Sequence, residues 1–234
     1  MTSNSLSTSL SGEVAPQKVD LKGSKGFTLA EVLITLVIIG VIAAMTIPTL
    51  MNNTNKQEYV SRLTKAYSTL KQGLNSIWQN NGVSPEDYEF LNTIDIIDEL
   101  AKVVAVQQKC DTTSECIGDT LNNTYKYLNN SAVSWYDGKT LVTSDGQIFA
   151  FVNSVSTSWG ISADDKDNLM GRFLVDVNGS KGPNKMGIDA YIFYLVRGKG
   201  IVPAGIDSIT SCAKNKQGQG CTAKVLQEKA INYI

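Results

Sequence analysis

Residues 32–51 form a run of twenty without a single charge, and no other feature of the chain constrains its folding so strongly. At about 1.5 Å per helical residue the run spans about 30 Å, the thickness of the hydrocarbon core of a bilayer. It is long and apolar enough to cross a membrane. Lys18, Lys22 and Lys25 precede it and Asn52, Asn53 and Asn55 follow it. The positive-inside bias then keeps the N-terminus cytoplasmic and sends the remainder outward. Residues 1–26 are rich in Ser, Thr, Gly and Lys, show no apolar periodicity, and read as a flexible, mildly basic leader.

Beyond the apolar run, Val60, Leu63, Tyr67, Leu70, Leu74 and Ile77 recur at steps of three and four, which puts one apolar stripe on one helical face. A helix over residues 28–78 would be about 75 Å long, far more than one small domain needs. Only its second half is expected to pack on a head. Pro48 removes one backbone hydrogen bond and predicts a bend or local loosening. Asn80, Asn81, Gly82, Ser84 and Pro85 end the pattern. Ile94, Ile96, Ile97, Leu100, Val103 and Val104 predict a second, short amphipathic helix.

The rest alternates as strands do. Residues 139–143, a turn at Ser144, Asp145 and Gly146, and residues 147–153 predict a hairpin, with further strands at 173–177 and 191–196 and a terminal helix over 223–234. Locally connected strands favour an antiparallel sheet, so the expected fold class is α+β, with a long N-terminal helix lying against a small antiparallel sheet. The expected organisation is a leader at 1–26, a membrane-spanning helix at 27–51, its continuation on the head at 52–80, and a globular extracytoplasmic head at 81–234.

Composition removes several functions. The 22 acidic and 21 basic residues nearly cancel, leaving no electrostatic footprint for nucleic acid and no general basic face for lipid head groups. The chain has no histidine, which excludes Ser/His/Asp triads, Cys/His pairs and His-based metal sites. An enzymatic role is not expected. The four cysteines fall in two close pairs, Cys110 with Cys116 and Cys212 with Cys221, neither with C-x-x-C spacing. Disulfides outside the cytoplasm fit them better than four buried thiols, though spacing leaves the connectivity open.

The most informative string is Gly26-Phe27-Thr28-Leu29-Ala30-Glu31-Val32-Leu33-Ile34, where a basic leader meets a small residue and one acid interrupts the start of the apolar run. A carboxylate in a membrane helix costs at least about 2.5 kcal/mol, which marks Glu31 as functional. Here the chain resembles the prepilins, that is, the type IV pilins and type II secretion pseudopilins, whose signature is Gly, Phe-Thr-Leu, a further residue, Glu and an apolar helix. The signature covers roughly residues 25–55. A long leader, and Ala30 where a larger aliphatic residue is common, depart from the family pattern.

The resemblance implies a pilin-like fold and a set of roles. A membrane prepilin peptidase cuts between Gly26 and Phe27 on the cytoplasmic side and methylates the new Phe27 amine. Glu31 pairs with the N-terminal amine of a neighbouring subunit, and the helix, with Pro48 where relatives carry proline, packs into a filament core. Opposite charges in a dry bundle do offset each other's desolvation. The implied partners are copies of the chain, other pilin-like subunits, the peptidase and the inner-membrane assembly machinery. The implied location is the cytoplasmic membrane and then a pilus or pseudopilus. The competing expectation is a non-polymerising, single-span anchored binding domain.

In the head, residues 176–184 with Asp189 downstream resemble the DVNG-then-GPN loop of many prepilin-like heads. Asp176, Asn178, Ser180 and Asp189 place oxygens at alternate positions around glycines, as calcium loops do. The missing terminal Glu and the intrusion of Lys181 and Lys185 favour an Asx turn, so no cofactor is expected, with calcium as the alternative. The acidic run 164–168 reads as a solvated loop. Cys212 with Cys221 resembles the C-terminal bridged loop of many pilins.

Overall fold

The computed structural model describes residues 26–84, 95–133, 137–153, 160–207 and 211–234. Nearly all of the leader, with its three lysines, lies outside the described residues, as do Pro85 and Ile94. The chain divides into two compact units, Met1–Pro48 and Thr49–Ile234.

Helix α1, Leu29–Asn81, carries Pro48 inside it and continues on both sides of that residue. In the second unit follow α2 (Ile96–Val103), β1 (Val106–Cys110), α3 (Thr113–Ile117), α4 (Leu121–Thr124), β2 (Lys139–Thr143), β3 (Ile148–Val152), α5 (Ala163–Asp167), β4 (Leu169–Asp176), β5 (Ala190–Val196), β6 (Gly200–Pro203) and α6 (Cys221–Glu228). The six strands form one sheet in sequence order, each antiparallel to the next. This is the expected α+β arrangement of a long helix and a small antiparallel sheet.

The three-to-four stripe explains how α1 meets the sheet. Val60, Leu63, Leu70, Leu74 and Ile77 are buried together with Leu141, Phe149, Phe173, Val175, Phe193 and Leu195. Tyr67, half-buried, stacks on Phe193 with ring centroids 5.5 Å apart. Each fully buried Leu, Ile or Phe contributes about 1.5–3 kcal/mol, so this face is the main source of head stability. Helix α2 joins the same core through Ile96, Ile97 and Leu100. It packs closely because Gly73 leaves room: a Cβ there would stand 2.4 Å from Leu100 Cδ1. Asp95 caps α2 by accepting from the N–H groups of Ile97 and Asp98.

The other face of the sheet is covered as well. Ala150, Leu174, Ile192, Tyr194 and Val196 pack with Leu121, Tyr125, Tyr127 and Val133. Consequently β5 is buried along its whole length and β4 at every residue but its first, which is why both read as nearly continuous apolar runs.

Four local expectations need correction. The first is the acidic run 164–168, most of which lies in helix α5, with Asp165 buried and paired to Lys199 at 2.5 Å, rather than in a solvated loop. Strand β1 was not anticipated because Val-Gln-Gln-Lys-Cys exposes four of its five residues at a sheet edge and so lacks an apolar alternation. Strand β6 was missed because its four residues begin at a left-handed Gly200 and end in Pro203. The terminal helix starts earlier and stops sooner than expected, since Lys229 takes a left-handed conformation at φ 52° and closes the helix after Glu228.

Candidate functional site

In the first unit the signature string becomes a helix start. Gly26, Phe27 and Thr28 precede α1, and the Phe27 side chain is 88% exposed. Thr28 is the N-cap: its hydroxyl accepts from the Glu31 N–H at 3.2 Å, while Glu31 Oε2 accepts from the Thr28 N–H and hydroxyl, both at 2.8 Å. This reciprocal arrangement is a capping box. The Thr-x-x-Glu spacing of Thr28 and Glu31 is the sequence signal of such a cap, and it gives the intramembrane acid a second, local use.

The helix beyond the cap presents apolar surface without covering it. Over an 18-residue apolar stretch of this helix no residue is buried. Leu29, Leu33, Ile34, Leu36, Val37, Ile39, Met45 and Leu50 are each more than half exposed. Its polar side chains satisfy themselves: the Thr35 hydroxyl donates to the Val32 carbonyl at 2.9 Å and that of Thr46 to the Ile42 carbonyl at 3.0 Å. In an environment without water such internal bonds are required. Length and composition suit this helix to membrane anchoring.

In the head, the topology brings together two of the four residues considered as calcium ligands. Asp176 ends β4 and Asp189 precedes β5, and both are fully buried. Asp176 accepts from the Asn178 N–H at 3.0 Å and from the Tyr125 hydroxyl at 2.7 Å; Asp189 accepts from the N–H groups of Asn184 at 2.8 Å and Lys185 at 2.7 Å. Asn178 Nδ2 donates to the Gly182 carbonyl at 2.8 Å, while its Oδ1 is buried and without a partner among the described residues. Ser180 is exposed on a short 3₁₀ turn.

Both carboxyls are pushed up in pKa, Asp176 to about 8 by burial and then by the charge of Asp189, and Asp189 to about 6 chiefly by burial. As a donor set the pair offers two carboxylates and one amide oxygen, and each carboxylate oxygen already receives a protein donor. Calcium takes six to eight oxygens, so these residues fit it poorly. Among the described residues no group of three or more His, Cys, Asp or Glu side chains is placed to hold a metal ion. What the arrangement does is fix the loop 182–185: Asp189 holds its backbone and Asn184 Oδ1 accepts from the Gly182 N–H at 2.9 Å.

The cysteines pair within each couple. Cys110–Cys116 ties the end of β1 to α3, and Cys212–Cys221 ties the approach segment to the first residue of α6. The connectivity left open by the sequence is thus resolved.

Residues 21–47 match the prokaryotic N-terminal methylation motif. Among curated proteins and solved structures, none matches the chain. The match spans Lys22 and Lys25, the Gly26-Phe27 junction, the capped Glu31 and most of the exposed apolar helix. On an α+β, pilin-like architecture with two disulfides, the chain therefore carries the type IV pilin-like prepilin signal.

Proposed function

We propose that the chain is a structural subunit of a type IV pilus or type II secretion pseudopilus. In this reading a prepilin peptidase cuts between Gly26 and Phe27, the Phe27 amine is methylated, and the subunit waits in the cytoplasmic membrane with its head outside. It then joins copies of itself and other pilin-like subunits through α1. The observation that carries the reading is the apolar surface of α1, whose large side chains Leu29, Leu33, Ile34, Val37, Met45 and Leu50 are exposed and which the single carboxylate Glu31 interrupts. Lipid can cover that surface, and so can the same helix of a neighbour, since the two bury equal apolar area. A carboxylate four residues from a new N-terminal amine gives such a bundle one charge to match in each subunit. The role is structural, with no reaction and no cofactor assigned to the head.

Mass spectrometry of the N-terminal peptide tests it directly. The mature chain is expected to begin at methylated Phe27 in cells with a prepilin peptidase and at the leader in cells without one. A chain that keeps its leader in both abandons the filament reading.

The capping box supports a second reading. Because Glu31 has a local use in one chain, an anchored, non-polymerising binding domain is also served by it. In that case Glu31 would tolerate substitution and no subunit contacts would form along α1.

A further inference from the structure

We propose that a cavity beside the first turns of α1 in the head binds the phosphate of an anionic phospholipid headgroup. The proposal rests on the membrane-anchored reading of α1. The cavity measures about 880 Å³ and brings together Lys56 and Tyr59 of α1, Lys185 of the 182–185 loop, and Lys214, with Asn55 and Asn130 beside them. No Asp or Glu side chain lines it, and Ile234 is at its wall.

Part of the head's positive charge is matched by acids elsewhere. Lys65, Lys102, Lys109, Lys139, Lys199 and Lys224 each pair with an acid at 2.5–2.9 Å. Among the described residues no such pair engages Lys56, Lys185 or Lys214. Three cations from three separate segments converge on one concavity in a chain whose net charge is only −1. Ammonium groups, amide N–H groups and a phenol make a donor set for a phosphate. The loop that carries Lys185 is fixed, because buried Asp189 accepts its N–H at 2.7 Å. The motif around Asp176 and Asp189 thus serves as a scaffold for a cationic wall.

Position selects the lipid as the source of the phosphate. The apolar run ends at Met51, and Lys56 lies five residues further along the same helix, about 7.5 Å at 1.5 Å per residue. The headgroup layer on each side of a bilayer core is roughly 5–8 Å thick. If α1 spans the core, its first cavity residues are at headgroup depth. Each lysine near an anionic surface then strengthens the contact about fivefold, an effect that fades with salt.

The test uses the full chain reconstituted into vesicles of phosphatidylcholine alone or of phosphatidylcholine mixed with phosphatidylglycerol, with lysine acylation rates read by mass spectrometry. In the anionic vesicles Lys56, Lys185 and Lys214 are expected to react severalfold more slowly than in the neutral ones, while Lys71 and Lys102 keep their rates. The double variant Lys56→Gln, Lys185→Gln is expected to abolish the protection of Lys214. Equal rates in the two vesicles overturn the site. Equal protection by inorganic phosphate added to neutral vesicles assigns it to a soluble anion and overturns the lipid source. Protection that grows with protein density in neutral vesicles assigns it to a second copy of the chain, with the same consequence. Flotation separates the underlying reading: a chain that floats with both vesicles but shows no protection loses only the headgroup site, and one that floats with neither loses the anchor as well.

Discussion

Glu31 and Thr28 hold each other at the start of α1, with Oε2 of the acid 2.8 Å from both the N–H and the hydroxyl of the threonine. The acid therefore has a local task in one chain besides the intersubunit task proposed for it, and two substitutions separate them. Thr28→Ala removes the cap, worth about 1 kcal/mol of helix stability, and leaves the charge. Glu31→Gln keeps an acceptor for the Thr28 N–H and removes the charge. Leaving an amine unpartnered in a dry helix bundle costs about 3–5 kcal/mol, so subunit cross-linking and sheared filaments should be lost in Glu31→Gln and retained in Thr28→Ala. If both variants assemble, or neither forms α1–α1 contacts in the first place, the anchored-monomer reading takes over.

The buried carboxyl pair predicts an unusual pH dependence of the head. Asp176 and Asp189 both have folded pKa values above their unfolded ones, so the folded state holds protons that the unfolded state has released. Their contribution is fully present below about pH 4 and is lost as pH rises through about 6 and about 8, the two steps belonging to the pair. A Tm measured on the full chain in detergent should fall by several degrees between pH 5 and pH 9. Asp176→Asn, which removes one of the two charges, should flatten that slope. A Tm that rises across the window would contradict the burial of the pair.

Much of this architecture was legible beforehand, and the failures have physical reasons. The stripe from Val60 to Ile77 predicted the face of α1 that packs on the sheet, and the hairpin around Gly146 became β2 and β3. Edge strands escaped because Gln107 and Gln108 carry no apolar period. Tyr125 and Tyr127 cover the second face of the sheet from an irregular segment after α4, so no periodic element marks them in the sequence. A turn-rich segment separates Asp176 from Asp189 in the sequence, and only the β4–β5 pairing, which sets Asp176 opposite Ala190, makes them neighbours. The cavity lysines lie on three distant segments, so no local charge run announced them.

The two disulfides should differ in worth. Each closes a short loop, and loop entropy alone gives about 2–3 kcal/mol. Cys221 is fully buried at the first turn of α6, whose Val225 joins the main core, whereas Cys110–Cys116 sits by an edge strand with mostly exposed residues. Replacing Cys212 and Cys221 by Ala should lower Tm by about 5–10 °C. Replacing Cys110 and Cys116 should lower it less and show chiefly as faster amide exchange in β1 and α3. The reverse order would mean that α6 is held by its packing without the bridge.

Calcium provides a direct check on the part assigned to the Asp176 and Asp189 loop. A bound ion that stabilised the folded state would raise Tm with concentration, by about 2.7 kcal/mol at a hundred times its dissociation constant. The loop instead has its carboxylates occupied by Asn178, Tyr125, Asn184 and Lys185, and only Asn178 Oδ1 is left over. Melting curves of the full chain in detergent should therefore coincide in EDTA and in millimolar calcium. Asn178→Ala should weaken the head, because it removes the bond to the Gly182 carbonyl, and should do so equally in both buffers. A calcium-dependent rise in Tm that Asn178→Ala abolishes would turn the scaffold into a metal site and make Oδ1 its third protein oxygen.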